Sequence, residues 1–463
     1  MSEKHNLILN TDSYKASHYL QYPPNTSQIS CYIESRGGKY PQTLFFGLQM
    51  YLKEYLSKPI TRENIDEAED FLRDHGLPFN REGWEHILKK HGGYLPIAIE
   101  AVPEGTVMPL HNVMAQVGNT DPECFWLTTY IETSLLRAVW YPTTVATSSW
   151  HCKEIIRRYL LETAESLDGL PFKLHDFGAR GVSSQESAEI GGAAHLVNFA
   201  GTDTLAGIIA AQRYYSEPMA AYSIPAAEHS TIVTWGKNNE SEAYKHILKQ
   251  FSKKNQMISI VSDAYDIWHA LNDIWGDELK QQVVDNPGVL VIRPDSGDPA
   301  TIVTKTIEIL MAKFGSTINS KGYHVLPNNL RIIQGDGVNI KTIASCLDAM
   351  KAKKQSAENI AFGMGGALLQ KLDRDTQEFA MKPNAIERDG QWFDVYKTPK
   401  TDMSKESKPG RLALIHDDRE GFKTIRIEEL GNRENILIPI FKDGKLLKEW
   451  SFKEIRDRSE TFL

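Results

Sequence analysis

The sequence predicts an α/β chain, with an irregular β/α barrel across residues 146–385 and a discontinuous α+β domain made of segments 1–145 and 386–463. Three observations predict it. Between about 170 and 385, seven short apolar runs alternate with helical stretches, the pattern of a parallel sheet with crossover helices. Nearly every run ends in polar or glycine-rich residues, as barrel strands do where their C-terminal ends converge on one face. After 386 the pattern turns β-rich in "KTIRIEEL" and "ENILIPIFKDGKLLKEW", a tail expected to pack on the N-terminal region. An open doubly wound sheet would instead spread the strand ends along a crevice. The number of runs favours the barrel.

Taken in order, "SQISCYIES" reads as a strand, and "TLFFGLQMYLKEYL" as a helix with Leu44, Leu48, Tyr51 and Tyr55 at helical spacing. A further helix opens at Asn80 as N-cap, carries Trp84, Ile87 and Leu88, and closes at Gly92-Gly93. Pro142 is expected to interrupt the helical pattern of 121–165. The barrel runs are "FKLHDFG", "AHLVNFAG", "AAYSIPA", "ISIVSDAY", "GVLVIRPDSG", "LRIIQGDG" and "ENIAFGMGG". "DTLAGIIAAQRYY" and "NIKTIASCLDAM" are the clearest intervening helices, and Asp443-Gly444 marks a hairpin in the tail.

The 463 residues carry 60 acidic against 52 basic side chains, a net charge of −8. That balance lacks the basic footprint of a nucleic-acid binder. The four cysteines, Cys31, Cys124, Cys152 and Cys346, show no C-x-x-C spacing, which argues against a disulfide framework or structural zinc. No apolar run approaches the ~18 residues of a membrane span, and the N-terminal run is too short for a signal. A cytoplasmic protein without membrane or nucleic-acid partners is expected.

Familiar motifs fail. The glycines at 363, 365 and 366 do not make G-x-G-x-x-G, no phosphate loop of the G-x-x-x-x-G-K-[ST] kind occurs, and H-E-x-x-H is absent. A tightly held transition metal is not expected. What survives is a set of strand-end groups: Asp176-Phe177-Gly178, Gly201-Thr202-Asp203, Ser223, Ser262-Asp263, Arg293 to Gly297, Gly335-Asp336-Gly337 and Gly363 to Gly366. Bare backbone N–H groups at glycine turns can cradle phosphate oxygens, and Arg180 and Arg293 can grip them bidentately. Asp263, Asp266, Asp295 and Asp336 suit magnesium held through water. Together they suggest a sugar phosphate or diphosphate with magnesium. The loop "KTPKTDMSKESKPGR" sets Lys397, Lys400, Lys405, Lys408 and Arg411 against Asp402 and Glu406. It reads either as a solvated linker or as a phosphate-facing strip.

"NTDSYKASHYLQYPPNT", "KLHDFGARGVSSQESAEIGGAAHLVNFAGTDT", "YSIPAAEHST", "VSDAYDIW", "VIRPDSGDP", "IQGDGV" and "AFGMGGALLQKLDRD" together resemble the nicotinate/nicotinamide phosphoribosyltransferase family, in its nicotinamide-using branch. The resemblance runs in order over roughly residues 6 to 455. It implies the type II phosphoribosyltransferase barrel and a homodimer whose active sites are shared between subunits. The implied reaction joins nicotinamide to 5-phosphoribosyl 1-diphosphate, giving nicotinamide mononucleotide and diphosphate in NAD salvage, with magnesium and stimulation by ATP.

It also implies residue roles. Phe177 stacks on the pyridine ring, opposite Tyr14 of the second subunit's "TDSYK", in which Asp12 also contacts substrate. Asp203 accepts the carboxamide N–H and repels the carboxylate of nicotinate. Ser223, Ser262, Arg180, Arg293, Asp295, Gly335, Asp336, Gly365 and Gly366 surround the substrates, and Arg36, Arg374, Lys382 and Lys397 come from the second subunit. His229 of "SIPAAEHS" falls on a histidine that ATP phosphorylates, with Asp263 or Asp266 orienting it; Asp266, Arg293 and Asp295 share the catalytic role, with magnesium near Asp266 and Asp295. Three residues depart from the family pattern: Ala179 for a large aromatic, Met364 for a small polar residue, and Ala380 for a hydroxyl. Met364 is expected to loosen the phosphate turn or reshape the ATP pocket. Three rival readings remain: a barrel glycosidase, which also gathers carboxylates at strand ends, an inactive barrel serving as an interaction module, and a family member using nicotinate.

Overall fold

The computed structural model describes residues 6–401, 406–417, 419 and 421–463. The chain forms two compact units. One draws on the chain up to Thr147, Gln212–Glu217 and Leu372–Leu463; the other on Ser148–Ala211 and Pro218–Lys371. Among the described residues no helix is long and apolar enough to cross a membrane.

The first unit is built on a seven-stranded antiparallel sheet ordered Gln391–Asp394, Phe379–Arg388, Thr26–Ser35, Val113–Asn119, Ile97–Ala101, Ile438–Lys442 and Lys445–Leu446. One of its two longest strands is Thr26–Ser35, whose last seven residues are all buried. Trp84, on the helix Arg81–His91, packs edge-on against Trp126 and Tyr130, with ring centroids 4.9 and 5.2 Å away. The Asp443-Gly444 hairpin forms as its sequence demands, both residues at positive φ (48° and 81°) between the paired Lys442 and Lys445. The segment 212–217 is tied in where the Tyr215 hydroxyl donates to Glu104 at 2.8 Å and Gln49 donates to the Tyr214 carbonyl at 2.8 Å.

The second unit carries a curled six-stranded parallel sheet. Its strands are β1 (Leu174–Asp176), β2 (Gly201–Thr202), β3 (Met257–Val261), β4 (Val289–Arg293), β5 (Leu330–Gln334) and β6 (Ile360–Met364), in the order β2-β1-β6-β5-β4-β3. The run "AAYSIPA" forms no strand of its own but meets both edges, through isolated parallel bridges from Tyr222 to Gly201 and from Ala226 to Ser259.

Several sequence expectations need correction. "AHLVNFAG" is not a strand: the helix Gln185–Leu196, capped by Ser184, runs through its first half, and only Gly201–Thr202 pairs with β1. Gly192 lets that helix approach the helix Leu205–Tyr215 closely, since a Cβ there would lie 2.9 Å from the Cα of Gly207. Pro142 does not interrupt its helix, which runs unbroken over Glu132–Thr163. The turn is supported by side chains, with Thr144 donating to the Trp140 carbonyl and Thr147 to that of Thr143, each at 2.6 Å. "TLFFGLQMYLKEYL" splits into a short strand, Gln42–Leu44, and a helix beginning at Leu48, so Leu44 lies on the strand. The break is Gly47, at φ 102°, where a Cβ would sit 2.4 Å from the Pro142 ring.

Asp121, 3 % exposed, anchors the Arg81–His91 helix. One of its oxygens meets His86 at 2.8 Å, His91 at 2.6 Å and Lys90 at 2.9 Å, while the other accepts the Glu123 N–H at 3.1 Å. Burial alone would push this carboxyl up, but its donors hold it well below the usual carboxylate range. A depressed folded pKa gives stability that is complete above the unfolded value near ~4 and is lost as pH falls below it. Asp121→Asn should therefore cost about 2 kcal/mol in urea unfolding at pH 7, and the gap from wild type should shrink below pH 4.

Candidate active site

The C-terminal ends of the parallel strands surround a basin of about 600 Å³. Phe177, Ala179 and Arg180 reach it from the end of β1, Asp203 and Thr204 from β2, and Glu228, His229 and Ser230 from the loop after the bridging segment. β4 contributes Arg293 and Asp295, β5 Gly335 and Asp336, and β6 Gly365. Nine residues expected from the sequence thus meet in one place: Phe177, Arg180, Asp203, His229, Arg293, Asp295, Gly335, Asp336 and Gly365.

Asp263, at the end of β3, lies behind the wall with its side chain 4 % exposed. One oxygen meets His229 Nε2 at 3.0 Å, and the other accepts the Asp295 N–H at 3.1 Å together with the Ser296 hydroxyl. Arg293 donates through Nε and Nη2 to the two oxygens of Asp295, at 3.3 and 2.8 Å. Gly335 gives these groups room, since a Cβ on it would lie 3.0 Å from Asp295 Oδ1 and 3.6 Å from the Phe177 ring. The β5 turn is fixed by buried Gln334, which donates to the Asp336 carbonyl at 2.8 Å.

Phe177 depends on Gly363, where a Cβ would sit 2.0 to 2.7 Å from three carbons of the ring. Beside it, Asp203 accepts the Ser223 hydroxyl, so Ser223 reaches the site through Asp203. Gly366 opens the short helix Gly366–Leu369, its Cα 3.4 Å from the place of a Gly181 Cβ.

Other expectations are corrected. Asp263, not Asp266, is the partner of His229. Asp266 instead caps the next helix, accepting the N–H groups of Trp268 at 2.9 Å and His269 at 3.2 Å. Ser262 is fully buried and does not line the basin; its hydroxyl accepts the Trp275 indole N–H at 3.1 Å and donates to the Ile260 carbonyl. Met364 does not enter the phosphate turn, because its side chain is buried and only its carbonyl serves the site, accepting the Phe177 N–H at 2.9 Å. Glu228, Ser230 and Thr204 line the basin without having been singled out as site residues, although the first two flank His229 in sequence.

Tyr14, Asp12, Arg36, Arg374, Lys382 and Lys397 belong to the first unit. Burial lowers the Lys382 ammonium, Glu132 opposes this, and Arg36, Lys397 and Arg374 add to the lowering, so three of the expected cations act on the fourth. Tyr14 is exposed, with His18 edge-on at 5.0 Å. Asp12 is tied to Thr133, accepting its hydroxyl at 2.7 Å. In the cationic loop, Lys408 pairs with buried Glu34, and Arg411 lies over the Trp392 ring. Lys405 and Asp402 lie outside the described residues.

The carboxylates that could hold magnesium, Asp263 and Asp295, already accept protein donors, which fits an ion kept at one remove through water. Among the described residues, His86, Asp121 and Cys124 also lie close enough to share an ion. There the carboxylate is taken up by four donors, and burial pushes the Cys124 thiol up to about 12.

Residues 172–433 match the nicotinate phosphoribosyltransferase (NAPRTase) family, and residues 6–99 match the nicotinamide phosphoribosyltransferase N-terminal domain. The chain is 50 % identical over 461 residues to a nicotinamide phosphoribosyltransferase of Xanthomonas campestris, covering 98 % of each protein. It is 33 % identical over 441 residues to one of Mycoplasma pneumoniae, covering 88 % of this chain and 95 % of that one. Its fold is similar to that of nicotinate-nucleotide pyrophosphorylase from Pyrococcus furiosus, with TM-score 0.63 at 15 % identity over 100 % of this chain and 96 % of that one. Human nicotinic acid phosphoribosyltransferase is similar too, with TM-score 0.56 at 16 % identity over 97 % and 93 %.

Gly363→Ala should destabilise the protein by about 1–3 kcal/mol in urea unfolding. In a Phe177→Ala background the same change should cost much less, because the ring that it strikes is gone. Additive costs would mean that the ring does not rest there.

Proposed function

We propose that this chain, which belongs to the nicotinate phosphoribosyltransferase family, condenses nicotinamide with 5-phosphoribosyl 1-diphosphate to give nicotinamide mononucleotide and diphosphate. One observation carries the reading: an aromatic ring, a carboxylate, two arginines and bare glycine turns converge on a single basin at the strand ends.

The pyridine nitrogen attacks with a lone pair that is already free, so no general base is required. As the N–C1′ bond forms, the C1′–O bond to diphosphate breaks and the leaving group takes the electron pair. Stabilising that departure is the difficult part. Arg180 and Arg293 supply cationic donors, and the backbone at Gly335 and Gly365 lets phosphate oxygens approach closely. Asp295 and Asp263 would hold magnesium through water, with Asp266 given over to its helix cap, and the bound ion would supply charge to the diphosphate oxygens. Phe177 offers a π face to a ring that becomes a cation. Asp203 accepts from the carboxamide and repels a carboxylate at the same position.

The reading extends to an irregular closed barrel, a second domain made from the two ends of the chain, and a homodimer in the cytoplasm. In that dimer the second copy contributes Tyr14, Asp12, Arg36, Arg374, Lys382 and Lys397. The exposure of Tyr14 and the repulsion of Lys382 by Arg36, Lys397 and Arg374 support this, since both would be relieved by a bound base and phosphates. ATP is the remaining partner. Asp263 holds His229 Nε2, which leaves Nδ1 to attack the terminal phosphorus of ATP as the P–O bond to ADP breaks. The resulting anionic phosphohistidine would stand beside the diphosphate site.

The test is the purified protein with phosphoribosyl diphosphate and magnesium, offered nicotinamide or nicotinate, with and without ATP. Nicotinamide should be strongly preferred, and Asp203→Ser should shift the preference toward nicotinate at least tenfold, or about 1.4 kcal/mol. His229→Ala should abolish both ATP stimulation and acid-labile labelling by γ-labelled ATP while leaving basal turnover measurable. A variant that retains full stimulation removes His229 from that role.

A further inference from the structure

Asp176 closes β1 immediately before Phe177 and is fully buried, outside the lining of the basin. Its Oδ1 accepts the Gly178 N–H at 2.7 Å, and its main-chain carbonyl accepts the Asp203 N–H at 2.9 Å. One residue therefore braces both backbones from which Phe177 and Asp203 reach the base. A Cβ on Gly178 would lie 3.0 Å from Asp176 Oδ1 and 2.7 Å from Leu369, so this turn has little room to shift.

The second oxygen is the unusual one. Oδ2 is buried and has no hydrogen bond of acceptable geometry, although the Thr204 hydroxyl lies near enough to favour the ionised form. A buried carboxylate oxygen so poorly supplied with donors is costly, and a native structure that keeps one needs a reason for it. The charged group that acts on it is Asp203, of the same sign. On the same strand, burial keeps His175 from charging readily, with Asp203 opposing, so it supplies little counter-charge. On the neighbouring strand, Met364, paired with Asp176, brings no charge. Two like-charged carboxylates thus act on each other from segments joined by a backbone hydrogen bond.

Such a pair responds to the charge of what binds above it. A ring that becomes a cation relieves the repulsion, whereas a ring bearing its own carboxylate adds a third negative charge. Resting on the nicotinamide reading of the basin, we infer that Asp176 is a specificity-determining positioning residue, which aims Phe177 and Asp203 and adds a second buried negative charge against anionic bases. Burial first, and Asp203 in addition, raise the Asp176 carboxyl to about 6, so it remains largely ionised at neutral pH.

The test uses full-length wild type, Asp176→Asn and Asp176→Ser in steady-state assays at pH 7.5 with nicotinamide and with nicotinate. Either neutral variant suffices if the other is insoluble. The ratio of kcat/KM for nicotinate to that for nicotinamide should rise at least tenfold, with the KM for phosphoribosyl diphosphate staying within threefold of wild type. A purely structural defect would lower both bases together and leave the ratio unchanged, and that result overturns the role of Asp176 alone. Wild-type protein that turns over neither base overturns the reading on which it rests.

Discussion

Asp263 commits both of its oxygens to neighbouring segments, and the geometry of the basin depends on that commitment. One oxygen holds His229, and the other gathers the Asp295 N–H and the Ser296 hydroxyl. Two other segments are fixed by one nearly buried carboxylate. Because hydrogen bonds to a charged acceptor are about twice as strong as neutral ones, these loops are held with a firmness that surface loops ordinarily lack. Arg293 gains from this indirectly, since the Asp295 that orients it is itself anchored. The guanidinium is thereby held in a fixed direction at the edge of the basin.

Much of this was legible in the sequence because chemistry and topology coincide at strand ends. The apolar runs at 174, 258, 289, 330 and 360 are short and bounded by glycine or aspartate, and each became a strand. His229 and Asp203 could be picked out from their local motifs. Less legible were features that depend on partners remote in sequence. The run from Ala194 reads as a strand because the small residues before it carry little helical periodicity, and the close approach of Gly192 to Gly207 accounts for them. Pro142 lies inside an unbroken helix packed against Gly47, nearly a hundred residues away in sequence. Asp263 and Asp266 stand three residues apart on one loop, and nothing in their spacing tells which faces His229.

The first unit illustrates the opposite difficulty. Arg36, Arg374, Lys382 and Lys397 are scattered across more than 350 positions, in a chain whose overall charge is negative. Pairing of Thr26–Ser35 with Phe379–Arg388 brings the flanks of those strands together, and Lys382 ends up opposite Tyr32. Net charge therefore says little about local potential here.

Met364 serves Phe177 through its carbonyl oxygen, an atom that every amino acid possesses, while its thioether is packed away in the interior. Side-chain identity at this position is consequently answerable to interior volume and not to the reaction. A buried thioether there fills interior volume, and a polar replacement would need a hydrogen-bond partner inside the protein. Neighbouring Gly363, where even a methyl group would strike the ring, has by contrast room for no side chain at all.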